Sequence, residues 1–497
     1  MGEQPRRTDQ VWSIELQGIE PVADADRHGR PFELFWVWFA ANIGILGIVY
    51  GAILVAAGLN LWQSALVALV GSAGSFALVG ALSVAGVWGG APALTLSRAP
   101  FGTRGNLGPT LLSWVSLVGW ETISVITAAY ALLGLFTIFG LPANMLWTIV
   151  SLVIVAVLVV AAGLLGHATL VWLQRAATWV FGLLTLVIVV FLVAKTNWMV
   201  VFSAKPGPWD TGVLAMLSII AAGTGIGWIN AGADYARYLP RCCRARGVIF
   251  WTTLGSTIPL FILIMAGVLL SSSVAGLASS ANPVQAIGGA LPSWMAIPYL
   301  LTAIGGLVAA ADLSLYSSGL NLLAMGLKMR RYKTVLIDAV LMIAGSIVVM
   351  VVAQNFFAPF ESFLQVLADG LAAWGAVFLV DMLLRRGYDT AGLTATERGS
   401  AYYYWGGVHW PALIAWIAGI LVGLAFTTSP WFTGPFARGP FAASSLGYFL
   451  GFIVAALVYW LLVMLAGAFP YRQKETNAVP AEKQAEMLSN AGSEVVR

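Results

Sequence analysis

Charge is what this sequence has least of. Of its 497 residues only 9% are Asp, Glu, Lys or Arg, while 60% are hydrophobic; soluble globular domains carry about 25% charged residues. A core this apolar would have no polar surface left to cover it in water, which excludes a soluble domain. Histidine is nearly missing. His28, His167 and His409 lie in the tail or at the edges of apolar runs, and none forms a metal motif. With no Ser–base or acid-pair signature either, an intramembrane enzyme is disfavoured and no cofactor is expected. Cys242 and Cys243 are adjacent, which suits neither an ordinary disulfide nor a four-ligand metal site. Net charge is only +4, with basic residues scattered through loops. That pattern belongs to membrane topology, not to nucleic-acid binding. The first 33 residues hold both signs of charge and no apolar run, so neither a cleavable signal peptide nor a lipid anchor is expected.

What is abundant is long apolar runs. Stretches of about 20 residues cross the hydrocarbon layer as helices, and twelve candidates lie near 34–58, 62–88, 107–137, 144–166, 171–194, 211–237, 247–271, 295–327, 333–353, 360–384, 407–428 and 443–468. The third and eighth are long enough to tilt or overrun the bilayer. The predicted fold is an all-α polytopic membrane protein with twelve transmembrane helices. Its single domain covers 34–470, between a polar tail at 1–33 and another at 471–497, both expected to be mobile. The internal loops near 271–295 and 384–407 are too short for a soluble domain. Basic residues test the count. With a cytoplasmic N-terminus, only Lys195, Lys205 and Arg438 fall outside, which leaves 22 of the 25 Lys and Arg inside. The expectation is a multi-pass protein of the plasma membrane with both termini cytoplasmic.

Acids at membrane depth are costly and face a cavity, a partner or a solute path. Glu121 sits mid-way along span three and Asp312 mid-way along span eight, neither with a Lys or Arg in its own span. The alternative is a protonated acid hydrogen-bonded to a neighbouring helix. Asp338, Asp369 and Asp381 lie in spans nine and ten; Asp338 and Asp381 are expected to meet cytoplasmic basic clusters. In span eight, Ser314, Ser317, Ser318 and Asn321 share one face, with Asp312 roughly 160° away.

Backbone breakers form the second clue. Span one reads Ala41-Asn42-Ile43-Gly44 through to Gly47, and span six reads Gly223-Thr224-Gly225-Ile226-Gly227-Trp228-Ile229-Asn230. Gly-interrupted spans at matching places in two halves point to discontinuous helices around a transport site; close helix packing is the alternative. Spans 1–5 (about 34–195) and 6–10 (about 211–384) then form two sets, and five being odd, the second is inverted. Spans at 407–468 are extra.

These residues carry a resemblance. Asp26 to Pro31, Phe35 to Asn42, Ser97 to Asn106, Asn230 to Pro240 and Leu315 to Asn321, in that order, resemble the nucleobase:cation symporter-1 family, in particular its purine/cytosine permease group. The resemblance implies a leucine-transporter-like core of two inverted five-helix repeats plus two peripheral helices. It implies a flat heterocycle held mid-membrane between spans one, three, six and eight. The family's solute position in span three falls on Glu121, with Leu117 where some members have an aromatic; Trp114 or Trp120 is the substitute. The unwound stretch falls on Gly223 to Gly227 and the span-eight polar positions on Ser314 to Asn321. Solute contacts are therefore expected from Glu121, Trp114, Gly225, Trp228, Ser317 and Asn321. Cation coupling is expected from Asp312, Asn42 and Gly44. Several relatives place sodium on span-eight hydroxyls where this chain has Ala309, Ala310 and Ala311, so a proton is favoured over sodium. A network of Asp234 and Arg237 with Arg98 and Arg104 is expected to close the cytoplasmic gate. The expected partners are a nucleobase-like solute and the lipid bilayer, not nucleic acid, with the monomer as the working unit. Allantoin, hydantoin or a vitamin is the alternative solute. A channel is the alternative of another class.

Overall fold

The computed structural model describes residues 10–466 except 275, 281–282, 353–356, 430, 440–441 and 443–445. Arg6, Arg7 and the tail at 471–497, with its Arg472, Lys474, Lys483 and Arg497, lie outside the described residues. Within them the chain is helical, with only two isolated β-bridges.

Lipid cannot satisfy backbone N–H and C=O groups, so apolar runs must close their hydrogen bonds internally as helices. Spans two to five are helices at Leu61–Gly89, Leu107–Ile138, Met145–Leu164 and His167–Ala194. Spans seven to ten are Ala245–Leu270, Ser293–Ala324, Arg331–Val352 and Phe357–Arg385, and span twelve is Gly447–Leu465. Among the described residues, ten helices are long and apolar enough to cross a membrane, eleven if the bent pair of span one counts as one. Span eleven is shorter than its apolar run suggested. Trp410–Phe426 has 17 residues, about 25 Å of helix against about 30 Å of hydrocarbon. A proline in its first turn sets its start, and Thr427 leaves the helix to bond Asp369 of span ten at 3.0 Å.

Both expected breaks are present. Span one is Glu33–Ala41 followed by Leu46–Ala56, bent by 60° between them. Span six is Leu214–Gly223, a 3-10 turn at Ile226–Trp228 and a short helix Gly232–Ala236. Span two packs along span seven, and span three along span eight, so equivalent helices of the two five-span sets face one another. Spans eleven and twelve pair with each other and rest on span ten.

The described part of the amino-terminal tail is held down, contrary to the mobility its polarity suggested. Arg27 donates from Nη1 to the Val87 carbonyl at 2.6 Å and from Nε to Val22 at 3.2 Å. Burial and the neighbouring Arg241 push its guanidinium down to about 10, against the pull of Asp24. It therefore stays a cation at neutral pH, and its hydrogen bonds hold. Further back, Glu15 is 1% exposed.

Candidate functional site

The break in span six leaves backbone groups that need partners. Tyr50 of span one donates its hydroxyl to the Gly223 carbonyl at 2.9 Å. Ser75 of span two accepts from the Gly225 N–H at 3.1 Å, and its hydroxyl lies 3.1 Å from that of Thr224. A methyl group on Gly225 would overlap the backbone of Ser75 and Phe76. Gly225 permits this close approach to span two. Tyr50 and Ser75 escaped the sequence reading because an isolated hydroxyl in an apolar run carries no signal of its own.

A narrow cavity opens beside this break, lined by Ser116 and Trp120 of span three, Ala222 and Gly227 of span six, and Phe363 with neighbouring apolar residues of span ten. Gly227 makes the space: a Cβ there would stand 2.9 Å from Trp120 Nε1. The Trp120 and Phe363 rings meet edge-on, 6.2 Å between centroids and 77° between planes. Among the tryptophans named as candidate stacking surfaces, Trp120 is the one in the wall. Trp228 packs away from it, edge-on against Trp38 at 5.6 Å.

Behind the cavity a polar knot joins three spans. Ser113 Oγ accepts from Asn230 Nδ2 of span six and from Asn321 Nδ2 of span eight, both at 2.7 Å. Ser317 lies 2.9 Å from the Tyr235 hydroxyl, which donates to the Leu313 carbonyl at 2.7 Å. Ser317 and Asn321 thus tie span eight to the second half of span six.

Glu121 and Trp114 share a face of span three, about 100° or more away from Ser116 and Trp120. Neither lines this cavity. Trp114 donates its indole N–H to Asp338 Oδ1 at 2.8 Å and Ser318 donates to Asp338 Oδ2 at 2.9 Å. Asp338 is fully buried and bonded to these neutral groups, not to the basic cluster expected for it. Glu121 faces this same Asp338 and Ser318.

The coupling candidates are not gathered at one point. Asn42 donates to the Trp38 carbonyl of its own helix at 2.7 Å. Gly44 packs on Leu307 and Gly306 of span eight. Between that contact and Asp312, the Ala309 carbonyl accepts Gln174 Nε2 of span five at 2.9 Å. Asp312 turns toward Gly163 of span four and into the field of Arg331, a cation from the start of span nine.

The expected gate network is replaced by another. Asp234 accepts the Ala93 N–H at 2.7 Å. Arg98 donates to the carbonyls of Leu393 and Ala324, each at 2.8 Å. Arg104 uses its backbone N–H on Gly407 at 2.7 Å. Arg237 pairs with Glu15 at 2.7 Å, both side chains fully buried. Asp381 does meet its expected basic neighbour, Arg385 Nε, at 2.9 Å.

The family described as permease for cytosine/purines, uracil, thiamine, allantoin matches residues 21–453. A Bacillus subtilis (strain 168) protein named as a purine-cytosine permease, YxlA, is 26% identical over 461 residues, 90% of this chain and 96% of its own. The purine-cytosine permease FCY2 of Saccharomyces cerevisiae is 24% identical over 309 residues, 60% of this chain and 53% of its own. Among solved structures, Mhp1, a nucleobase-cation-symport-1 family transporter, in a closed conformation with bromovinylhydantoin bound, superposes with a TM-score of 0.74 at 21% identity, covering 93% of this chain and 98% of that one. The inward-facing conformation of Mhp1 gives 0.66 at 22% identity, over 92% and 95%. The fold is thus the leucine-transporter-like one that the resemblance implied. This chain belongs to the nucleobase:cation symporter-1 family, in its purine/cytosine permease group, and is a transporter, not an enzyme.

Proposed function

We infer that this permease takes up a nucleobase, cytosine or a purine, together with a proton, across the plasma membrane as a monomer with both termini cytoplasmic. The observation that carries the solute is the small cavity at the unwound part of span six, with Trp120 and Phe363 in its wall and Ser116 as its hydroxyl. An aromatic wall stacks on a planar base, and the Ser116 hydroxyl can pair with the base's donor and acceptor edge.

The proton is favoured by what surrounds Ala309. Ala309, Ala310 and Ala311 offer no hydroxyl to a metal cation, and the Ala309 carbonyl already accepts the Gln174 amide. The partition of basic residues favours the cytoplasmic termini.

Uptake of labelled cytosine and adenine, with hypoxanthine, uracil and allantoin as competitors, tests the solute class. Saturable cytosine or adenine uptake blocked by other bases is expected. Competition by allantoin alone would place the chain with carriers of non-nucleobase heterocycles.

A further inference from the structure

We propose that Glu121 and Asp338 form one intramembrane carboxyl pair that binds and releases a single proton, and that this pair, not Asp312, carries the coupling proton. The inference rests on the permease reading above and names the site of its cation.

The two acids come from different helices, Glu121 from span three and Asp338 from span nine, and both are fully buried. Their surroundings are asymmetric. Asp338 accepts two hydrogen bonds, from Trp114 and Ser318. Both oxygens of Glu121 are without a hydrogen-bond partner, because the nearby Ser318 hydroxyl is given to Asp338. Among the described residues, Asp338 is the charged group that faces Glu121, with Ser318 of span eight beside it. Trp114 and Ser318, from spans three and eight, are the groups holding Asp338. Among the described residues, no Lys, Arg or His makes a hydrogen bond or ion pair with either acid. Arg331, two turns before Asp338 on span nine, is turned to Glu15 and the carbonyls of Gly163, Leu164 and Leu165.

Two carboxylates facing each other in a dry interior repel each other and lose their hydration, so holding both ionised at once is costly. Hydrogen bonds to the ionised form favour Asp338 as carboxylate, which leaves Glu121 as the carboxylic acid whose O–H can donate to Asp338. Binding takes the pair from two negative charges to one; release returns the proton to water when the spans part. The pair is joined to the solute cavity by one helix. Trp120 lines the cavity, and Glu121, the next residue, lies about 100° further round the helix. A rotation of span three that admits or releases the ring therefore also moves Glu121 against Asp338.

Two measurements on the purified full-length protein test this. In proteoliposomes, cytosine accumulation under an imposed proton gradient is compared with cytosine exchange at equal pH. E121Q should lose accumulation at least tenfold more than exchange, with a flattened pH profile; D338N should behave likewise, and keeps the test alive if E121Q does not reach the membrane. D312N should affect both modes alike. Equal loss of exchange and accumulation in E121Q and D338N, or a selective loss of accumulation in D312N, overturns the proposal. Infrared difference spectra against pH need no solute. A protonated-carboxyl C=O band that titrates in the wild type and vanishes in E121Q is expected. Its persistence in E121Q, or its removal by sodium at constant pH, overturns the pair as a proton site. Absence of any nucleobase transport with this band intact would instead overturn the solute assignment alone.

Discussion

Glu15 Oε1 accepts a hydrogen bond from Arg237 Nη2 at 2.7 Å, pinning the amino-terminal tail to the end of span six. The same oxygen accepts the Tyr238 hydroxyl at 2.5 Å and the Tyr316 hydroxyl at 3.2 Å, while Oε2 accepts the His167 backbone N–H at 3.1 Å. Arg237 also donates to the Gly18 carbonyl at 2.7 Å. One carboxylate thus bonds to residues of spans six and eight and to the start of span five, with Arg331 of span nine 3.6 Å away. These are elements that must separate if that end of the bundle is to open.

Removing one partner of a buried ion pair strands the other and costs about 3–5 kcal/mol. Glu15→Ala should therefore lower thermal stability and loosen this end. Hydrogen exchange over 232–239 should speed up, with an increased fraction of protein open on that face. Unchanged exchange and unchanged melting would show that the tail does not bear on the gate.

The relation between sequence and structure is uneven for a physical reason. Spans and breaks were legible because lipid imposes them locally: an apolar run must be helical, and Gly with Asn in the middle of one is the way out. The partners of the buried charges were not. Asp234 and Arg237 are three apart on one segment, yet Arg237 is taken by Glu15 from a tail that looks merely polar. Asp338 lies only a few residues from Arg331 and Lys333, yet turns inward to Trp114 and Ser318. Helix spacing fixes which face a residue shares, but which helix covers that face is decided by packing between segments far apart in sequence. Trp114 and Glu121 were correctly placed on one face, which turned out to be the face away from the cavity.

The two tryptophans of span three should separate in function. Trp120→Ala removes the cavity wall and should raise the apparent Kd for the transported base about tenfold or more, since 1.4 kcal/mol is one factor of ten and an aromatic pair adds about 0.5–1.5 kcal/mol beyond its buried area. Trp114→Ala should leave that Kd within about threefold and change the pH dependence of uptake, because it removes a hydrogen bond from Asp338. Equilibrium binding and a pH series on both variants decide it. The reverse pattern would put Trp114 at the solute.

The glycines of span six should also divide. Gly225→Ala forces a methyl into the backbone of span two and should cost folding or membrane yield. Gly227→Ala meets only the edge of the Trp120 ring, at 2.9 Å before adjustment, so the ring must swing into the cavity. Yield should be near normal while affinity falls, as read from expression level and Kd together. Normal affinity in Gly227→Ala would mean that the ring has room elsewhere and that the cavity does not hold the solute.

The coupling cation gives the last test. A sodium ion near the span-one break would need several oxygen ligands. The carbonyl at Ala309 is engaged by Gln174, and the alanines beside it supply no side-chain oxygen. Asp312, the nearest carboxylate on that helix, faces Arg331, which is a poor neighbour for a second cation. Uptake in sodium-free buffer should therefore persist and collapse when a protonophore is added. Gln174→Ala frees the Ala309 carbonyl but adds no ligand, so it should not create sodium dependence. Gln174→Ala together with Ala310→Ser introduces one hydroxyl next to a carbonyl relieved of the Gln174 amide, and a sodium-stimulated component is then the expected gain. Strict sodium dependence in the wild type would mean that Gln174 leaves Ala309 when the solute binds, and that the proton assignment is wrong.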